Sequence, residues 1–150
     1  MRVVIQRVSE ASVAIEGKIT SEIKTGFLIL LGIEHEDSQE DINWLCGKIS
    51  RLRVFSDDTG AMNLSILDIK GELLVVSQFT LHASTKKGNR PSFIKAARPE
   101  VAIPHYEAFV DQLKRTTQLR VQTGTFGAMM EIALVNDGPV TIFIDSKNKE

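Results

Sequence analysis

A chain of 150 residues, 43% hydrophobic and 25% charged, is long enough to bury one core and reads as a single globular domain over residues 1–150. Its formal charge of −1 leaves no global basicity, so any contact with nucleic acid must use a local patch. One cysteine, Cys46, excludes a disulfide framework and a thiolate metal cluster, and the longest apolar run, Phe27–Leu31, is far too short to span a bilayer.

The N-terminal stretch is interrupted by Gln6, Arg7 and Ser9 and lacks the apolar core of a signal peptide, which with the lone cysteine predicts a reduced, cytosolic setting. Met1–Val8 and Ala11–Ile15 read as two β segments, and Glu16-Gly17-Lys18 turns the chain into a strand at Ile19–Ile23. After Thr25-Gly26, Phe27–Ile33 is a buried strand. Ser38, with Asp41 three residues on, reads as a helix N-cap. Ile42, Leu45, Cys46, Ile49 and Leu52 then fall on one helical face, so Cys46 reads as a small core residue, and Trp44 lies off the stripe or at its margin.

Arg53–Phe55 reads as a short strand and Ser56–Gly60 as a turn. Its two aspartates lack the spacing of a calcium loop, so no metal site is expected. Met62–Ile69 fits neither period. A second amphipathic helix starts at Pro99 or Pro104 and runs to about Arg115, with Ala102, Tyr106, Phe109, Val110 and Leu113 on its apolar face. Leu119–Gln122, Met129–Val135 and Val140–Ile144 read as strands, and Ser146–Glu150 as a frayed end. Pattern alone supports a mixed α/β or α+β domain.

Two stretches carry chemistry. Leu73–Val76 is a strand buried on both faces, and it hands over abruptly to Ser77, Gln78, Phe79 and Thr80. Two hydroxyls and an amide at the end of a buried strand need partners or a ligand, although satisfaction by backbone is the more ordinary outcome. The following segment holds Lys86, Lys87, Arg90, Lys95 and Arg98 and no acid between His82 and Arg98, which suits phosphate contacts as well as a solvated loop. The second stretch is Asn136-Asp137-Gly138-Pro139-Val140-Thr141, where Gly-Pro either makes a plain hairpin turn or fixes backbone carbonyls in one direction. His35, His82 and His105 show no ligand or triad spacing.

The pair SQFTL (Ser77–Leu81) and NDGPVT (Asn136–Thr141) resembles the two signature motifs of the D-aminoacyl-tRNA deacylases, and RVVIQRVSEASV, KKGNRPSF and QTGTFGAMM extend that resemblance to about Asp145. The resemblance implies an α/β fold, a three-layer β/β/α sandwich of the D-aminoacyl-tRNA deacylase type with mixed sheets and two main amphipathic helices. It implies a cytoplasmic homodimer without a cofactor that hydrolyses the ester between a D-amino acid and the 3′-terminal adenosine of tRNA, a chiral proofreading reaction. Gly138-Pro139, with its peptide bond cis, would project into the other subunit's pocket and exclude L side chains. Glycine, having no side chain to reject, would be removed as well.

Carried over residue by residue, the resemblance makes Ser77, Gln78, Phe79 and Thr80 the catalytic motif, with the Phe79 amide as oxyanion donor. Met130 and Phe126 would shape the substrate pocket, Arg7 would fix the Gly-Pro turn, and Lys86, Lys87, Arg90 and Lys95 would meet tRNA. Met129 departs from the family, where the residue before the pocket methionine is often acidic. Two mechanisms fit: attack by the Thr80 hydroxyl, or water activated with help from the ribose 2′-hydroxyl while the protein supplies position and oxyanion stabilisation. The second is preferred, because no base accompanies Thr80. A non-catalytic tRNA-binding module and a deacylase for small L-amino acids are the alternatives.

Overall fold

Strands β3 (Gly26–Gly32) and β6 (Glu72–Ser77) lie parallel, with Leu28 opposite Leu74 and Leu30 opposite Val76. Side chains alternate across a strand, so each presents two apolar faces and both must be covered. Phe27, Ile29, Leu31, Leu73 and Val75 join one buried cluster; Leu28, Leu74 and Val76 join another. The computed structural model describes residues 1–150 and shows what covers each face.

On the first face lie the helices α1 (Gln39–Arg51) and α2 (Pro99–Thr117), packed against each other. They contribute Ile42, Leu45, Cys46 and Ile49, and Ala102, Tyr106, Phe109, Val110 and Leu113. Burial pushes the Cys46 thiol up to about 12, and its Sγ lies 3.7 Å from the Phe109 carbonyl oxygen, as suits a core residue. Trp44 sits at the margin of the stripe, half-buried, with the Lys48 and Lys149 ammonium groups 5.6 and 4.9 Å from its ring centre.

The second face is covered by β1 (Arg2–Ile15), β2 (Lys18–Ile23) and β8 (Glu131–Asp145). The main sheet runs β2-β1-β3-β6-β7, where β7 is Val121–Thr123, and β8 lies antiparallel along β1. Val3 and Ile5 of β1 face the helical core, whereas Val8, Ala11 and Val13 enter the second cluster. The change of side coincides with register shifts against β8 around Val8, the usual effect of a bulge. The strand thus belongs to two layers, and the result is a mixed α/β sandwich in which helices cover one side of the sheet and a folded-over β layer the other. A separate two-stranded ribbon joins β4 (Phe55–Ser56) to β5 (Met62–Leu64). No helix is long and apolar enough to cross a membrane.

Two local expectations are corrected. The segments 1–8 and 11–15 form one continuous strand, because β8 pairs along both and carries the ladder past Ser9. Nor is the start of the C-terminal segment frayed. Ser146 is buried, its N–H donates to the Met1 carbonyl (2.9 Å), and its hydroxyl donates to Asp41 (2.7 Å). Lys147 Nζ donates to the other Asp41 oxygen (2.9 Å), and that oxygen also accepts from the Ser38 N–H (2.9 Å) at the start of α1. The Met1 ammonium is held nearby by Asp37.

Burial alone would raise the Asp41 carboxyl, but hydrogen bonds from Ser146, Lys147 and Ser38 together hold it well below the usual carboxylate range. Because the folded-state value is depressed, this contribution to stability is complete above the ordinary carboxylate range and is lost as pH falls below it toward the lowered value. Asp41→Ala is expected to cost roughly 1–3 kcal/mol at neutral pH in urea titrations, the exposed Lys147 partner adding little. The cost should shrink in acid, where the wild-type carboxyl also loses its charge; a pH-independent difference would contradict this account.

Candidate active site

Strand β6 ends with Ser77 opposite Leu31, and the Gln78 N–H still donates to the Leu31 carbonyl (2.7 Å). The chain then leaves the sheet in a short 3-10 turn, Phe79–His82, whose bonds run from Leu81 N–H to Gln78 O and from Ala83 N–H to Thr80 O. The polar cluster satisfies itself in part: Gln78 Nε2 donates to Thr80 Oγ1 at 2.5 Å. No side chain caps the start of the turn, which leaves the Phe79 and Thr80 N–H groups for solvent or a ligand oxygen.

Beside the turn lies a pocket of about 80 Å³, walled by Leu31, Ile33, Ala97, Ala102 and Phe126 and including Ser77, Gln78 and Phe79. The Tyr106 hydroxyl donates to the Val75 carbonyl (2.8 Å) behind it, and its ring meets Phe126 edge-on with centroids 5.9 Å apart. Burial pushes the Tyr106 hydroxyl up to about 12, so it stays a neutral donor. Met130 lies outside this pocket. It packs against the second apolar cluster, with Gly124 leaving it room: a Cβ there would sit 2.6 Å from the Met130 sulfur. Met129 is 90% exposed.

No histidine serves Thr80. His35 is exposed, His105 contacts the Val101 and Asp37 carbonyl oxygens through its two ring nitrogens (2.9 Å each), and His82 is buried with neither ring nitrogen partnered. No three histidine, cysteine or acidic side chains converge as metal ligands.

Asn136–Thr141 is not a hairpin turn. It is a protrusion within β8: Asn136 pairs with Val8 and Thr141 with Gln6, leaving residues 137–140 against a single residue of β1. The Gly138-Pro139 peptide is cis and both residues are exposed. Asn136 clamps the base, its Oδ1 accepting from the Val140 N–H (3.0 Å) and its Nδ2 donating to Thr141 Oγ1 (2.9 Å). Arg7, largely buried, donates from Nε to the Asp137 carbonyl (3.0 Å) and from Nη1 to the Val54 carbonyl (2.5 Å). Gly138 has φ +131°, and a Cβ there would lie 2.9 Å from Arg7 Nη2 and from Val140 Cγ2, so only glycine fits. The roles of Asn136 and the Val54 carbonyl escape a sequence reading. The asparagine reads as a turn former, but its one acceptance and one donation depend on a bulge that only strand pairing reveals.

Within one chain the two motifs stand apart. The protrusion lies at the level of Arg7 and Phe27, whereas Ser77 lies at the level of Leu31, with β1 and β3 between β8 and β6. Four residues along the strands and three strand spacings put them on the order of 20 Å apart. Lys86, Lys87, Arg90, Lys95 and Arg98 are exposed beyond the turn, and none takes part in an ion pair.

The fold is that of the tRNA deacylases. A solved structure titled "Structural Analysis of a probable eukaryotic D-amino acid tRNA deacylase" superposes with a TM-score of 0.81 over 95% of this chain and 97% of its own, at 17% identity. More similar in sequence is a structure titled "c-Myc DNA Unwinding Element Binding Protein", with a TM-score of 0.91, 42% identity, and coverage of 97% and 98%. The profile of the family described as D-Tyr-tRNA(Tyr) deacylase matches residues 4–145. Proteins named D-aminoacyl-tRNA deacylase from Flavobacterium psychrophilum and Bacteroides thetaiotaomicron are 64% and 63% identical over the full length of both chains. This chain belongs to the D-aminoacyl-tRNA deacylase family of hydrolases.

Asn136→Ala removes both clamps at the base of the protrusion. It is expected to cost about 1–2 kcal/mol in thermal melts and to speed hydrogen exchange at the Val140 amide. An unchanged exchange rate would show that Arg7 alone holds the loop.

Proposed function

We propose that this protein hydrolyses D-aminoacyl-tRNA to free D-amino acid and tRNA, as a cytoplasmic homodimer in which Gly138-Pro139 of each subunit serves the pocket of the other. The observation that carries this reading is the separation of the two motifs. Gly138-Pro139 is held outward by Arg7 and Asn136, on the order of 20 Å from Ser77 in the same chain, so it can meet a Ser77–Thr80 site only across an interface. Loop carbonyls so placed would hold the substrate amino group and leave no room for an L side chain. A D side chain would point away, largely unread, and glycine would pass the filter. The exposed, unpaired cations Lys86, Lys87, Arg90 and Lys95 would seat the tRNA backbone.

The chemistry asked of the protein is modest. An aminoacyl ester is activated, and the Phe79 amide at the uncapped start of the 3-10 turn would stabilise the oxyanion. Thr80 Oγ1 accepts a hydrogen bond from Gln78 and has no base beside it, which argues against a nucleophile. The ribose 2′-hydroxyl next to the ester is the better-placed group to help activate water.

Hydrolysis of matched D-tyrosyl-tRNA and L-tyrosyl-tRNA tests the reading, with a Gly138→Ala/Pro139→Ala variant alongside. The D ester should disappear rapidly and the L ester persist, while the variant loses activity on the D ester. Binding of both tRNAs without turnover would leave a tRNA-binding module in place of an enzyme. Thr80→Ala should keep its rate within about tenfold of wild type; complete loss together with an acyl-threonine trapped in wild type would instead make Thr80 the nucleophile.

A further inference from the structure

The segment between the turn and α2 does more than carry positive charge. Ser84 and Ser92 exchange both backbone hydrogen bonds (2.8 and 2.9 Å), which closes Thr85–Pro91 into a loop with Lys86, Lys87 and Arg90 at its tip. The residue after that closure, Phe93, turns inward. Its ring meets Phe79 edge-on, with centroids 5.1 Å apart and planes at 76°. The next residue, Ile94, is left 86% exposed, so the inward setting of Phe93 is selective rather than a general burial of apolar groups. Beyond Phe93 the chain is pinned again. Ala96 N–H donates to the Phe93 carbonyl and Ala97 N–H to the Ile33 carbonyl, both at 2.9 Å, and Ala97 and Ile33 are walls of the pocket.

Phe93 therefore ties the base of the basic loop to the ring of Phe79. Phe79 itself is 55% exposed, and the Phe93 ring is its aromatic neighbour. Edge-on aromatic pairs hold a preferred geometry beyond simple burial. A ring held by Phe93 constrains the Phe79 backbone, and with it the first N–H groups of the turn.

Resting on the deacylase reading above, we propose that Phe93 is a positioning residue that couples seating of the tRNA backbone on the basic loop to the alignment of the Phe79–His82 turn. The loop's phosphate contacts would then serve turnover as well as affinity, since a loop held by RNA holds Phe93, and Phe93 holds the turn.

The test compares two D-tyrosyl esters, full-length D-tyrosyl-tRNA and D-tyrosyl-adenosine, which lacks the RNA backbone. Wild type should turn over the tRNA ester with a higher kcat than the adenosine ester. Phe93→Leu keeps apolar volume but loses the ring; its kcat on the tRNA ester should fall about tenfold toward the adenosine-ester value, with KM within about twofold of wild type. Phe93→Tyr keeps the ring and should restore the kcat advantage. A triple Lys86→Ala/Lys87→Ala/Arg90→Ala variant should lose the same advantage. Unchanged kcat in Phe93→Leu, an effect confined to KM, or failure of Phe93→Tyr to rescue would each overturn the coupling. Wild type that hydrolyses neither ester would overturn the deacylase reading itself, an outcome the Phe93 variants cannot mimic.

Discussion

Leu73, Leu74, Val75 and Val76 are all buried, and the strand they form tolerates water on neither side. Burial of side chains this large contributes roughly 1.5–3 kcal/mol each, so both faces of β6 demand a cover. Two amphipathic helices supply one; the folded-over half of β1 with β2 and β8 supplies the other. The site follows from this arrangement. A strand sandwiched between two layers is rigid up to its last residue, and the first polar side chains after Val76 emerge where the cover ends. Ser77, Gln78 and Phe79 line a pocket because the strand has run out of sheet, not because a separate scaffold was built for them.

That arrangement also explains what the sequence could and could not disclose. The period of α1, its Ser38–Asp41 start and the placement of Cys46 are local properties, and they stand as read. The buried runs at Phe27 and Leu73 announce themselves by composition. By contrast, the continuity of β1 across Ser9 and Glu10 depends on β8, more than a hundred residues away, and no local pattern reports it. The same holds for Asn136–Thr141. The turn-forming residues predict a break, but whether they give a hairpin or a protrusion within one strand depends on which strand lies alongside. Pattern alone shows Arg7 only as a charge within an apolar N-terminal stretch, and its link to the Gly-Pro turn comes from the family resemblance. Its guanidinium reaches a loop and a carbonyl that only the fold brings near it.

The absence of a base beside Thr80 shifts attention from nucleophiles to positions. Gln78, Thr80 and the turn's free N–H groups form a polar edge on an apolar pocket, and the hydroxyl already accepts from a neighbour. Such a site is suited to holding a reactive ester and stabilising developing charge, with the substrate supplying part of the chemistry. On the proposed arrangement, the separation of Gly138-Pro139 from that edge divides labour between recognition and catalysis, and the two meet only in the assembled dimer.

The Asp41 carboxyl joins two distant pieces of the chain: the first turn of α1, and Ser146 with Lys147 after the last strand. A group that anchors several segments makes their local openings one event. Loosening of the segment after β8 exposes the cap of α1, and fraying of α1 releases that segment, so the two belong to a single cooperative unit although about a hundred residues of sequence lie between them. The opening of these two segments is therefore linked through one carboxylate rather than by order along the chain.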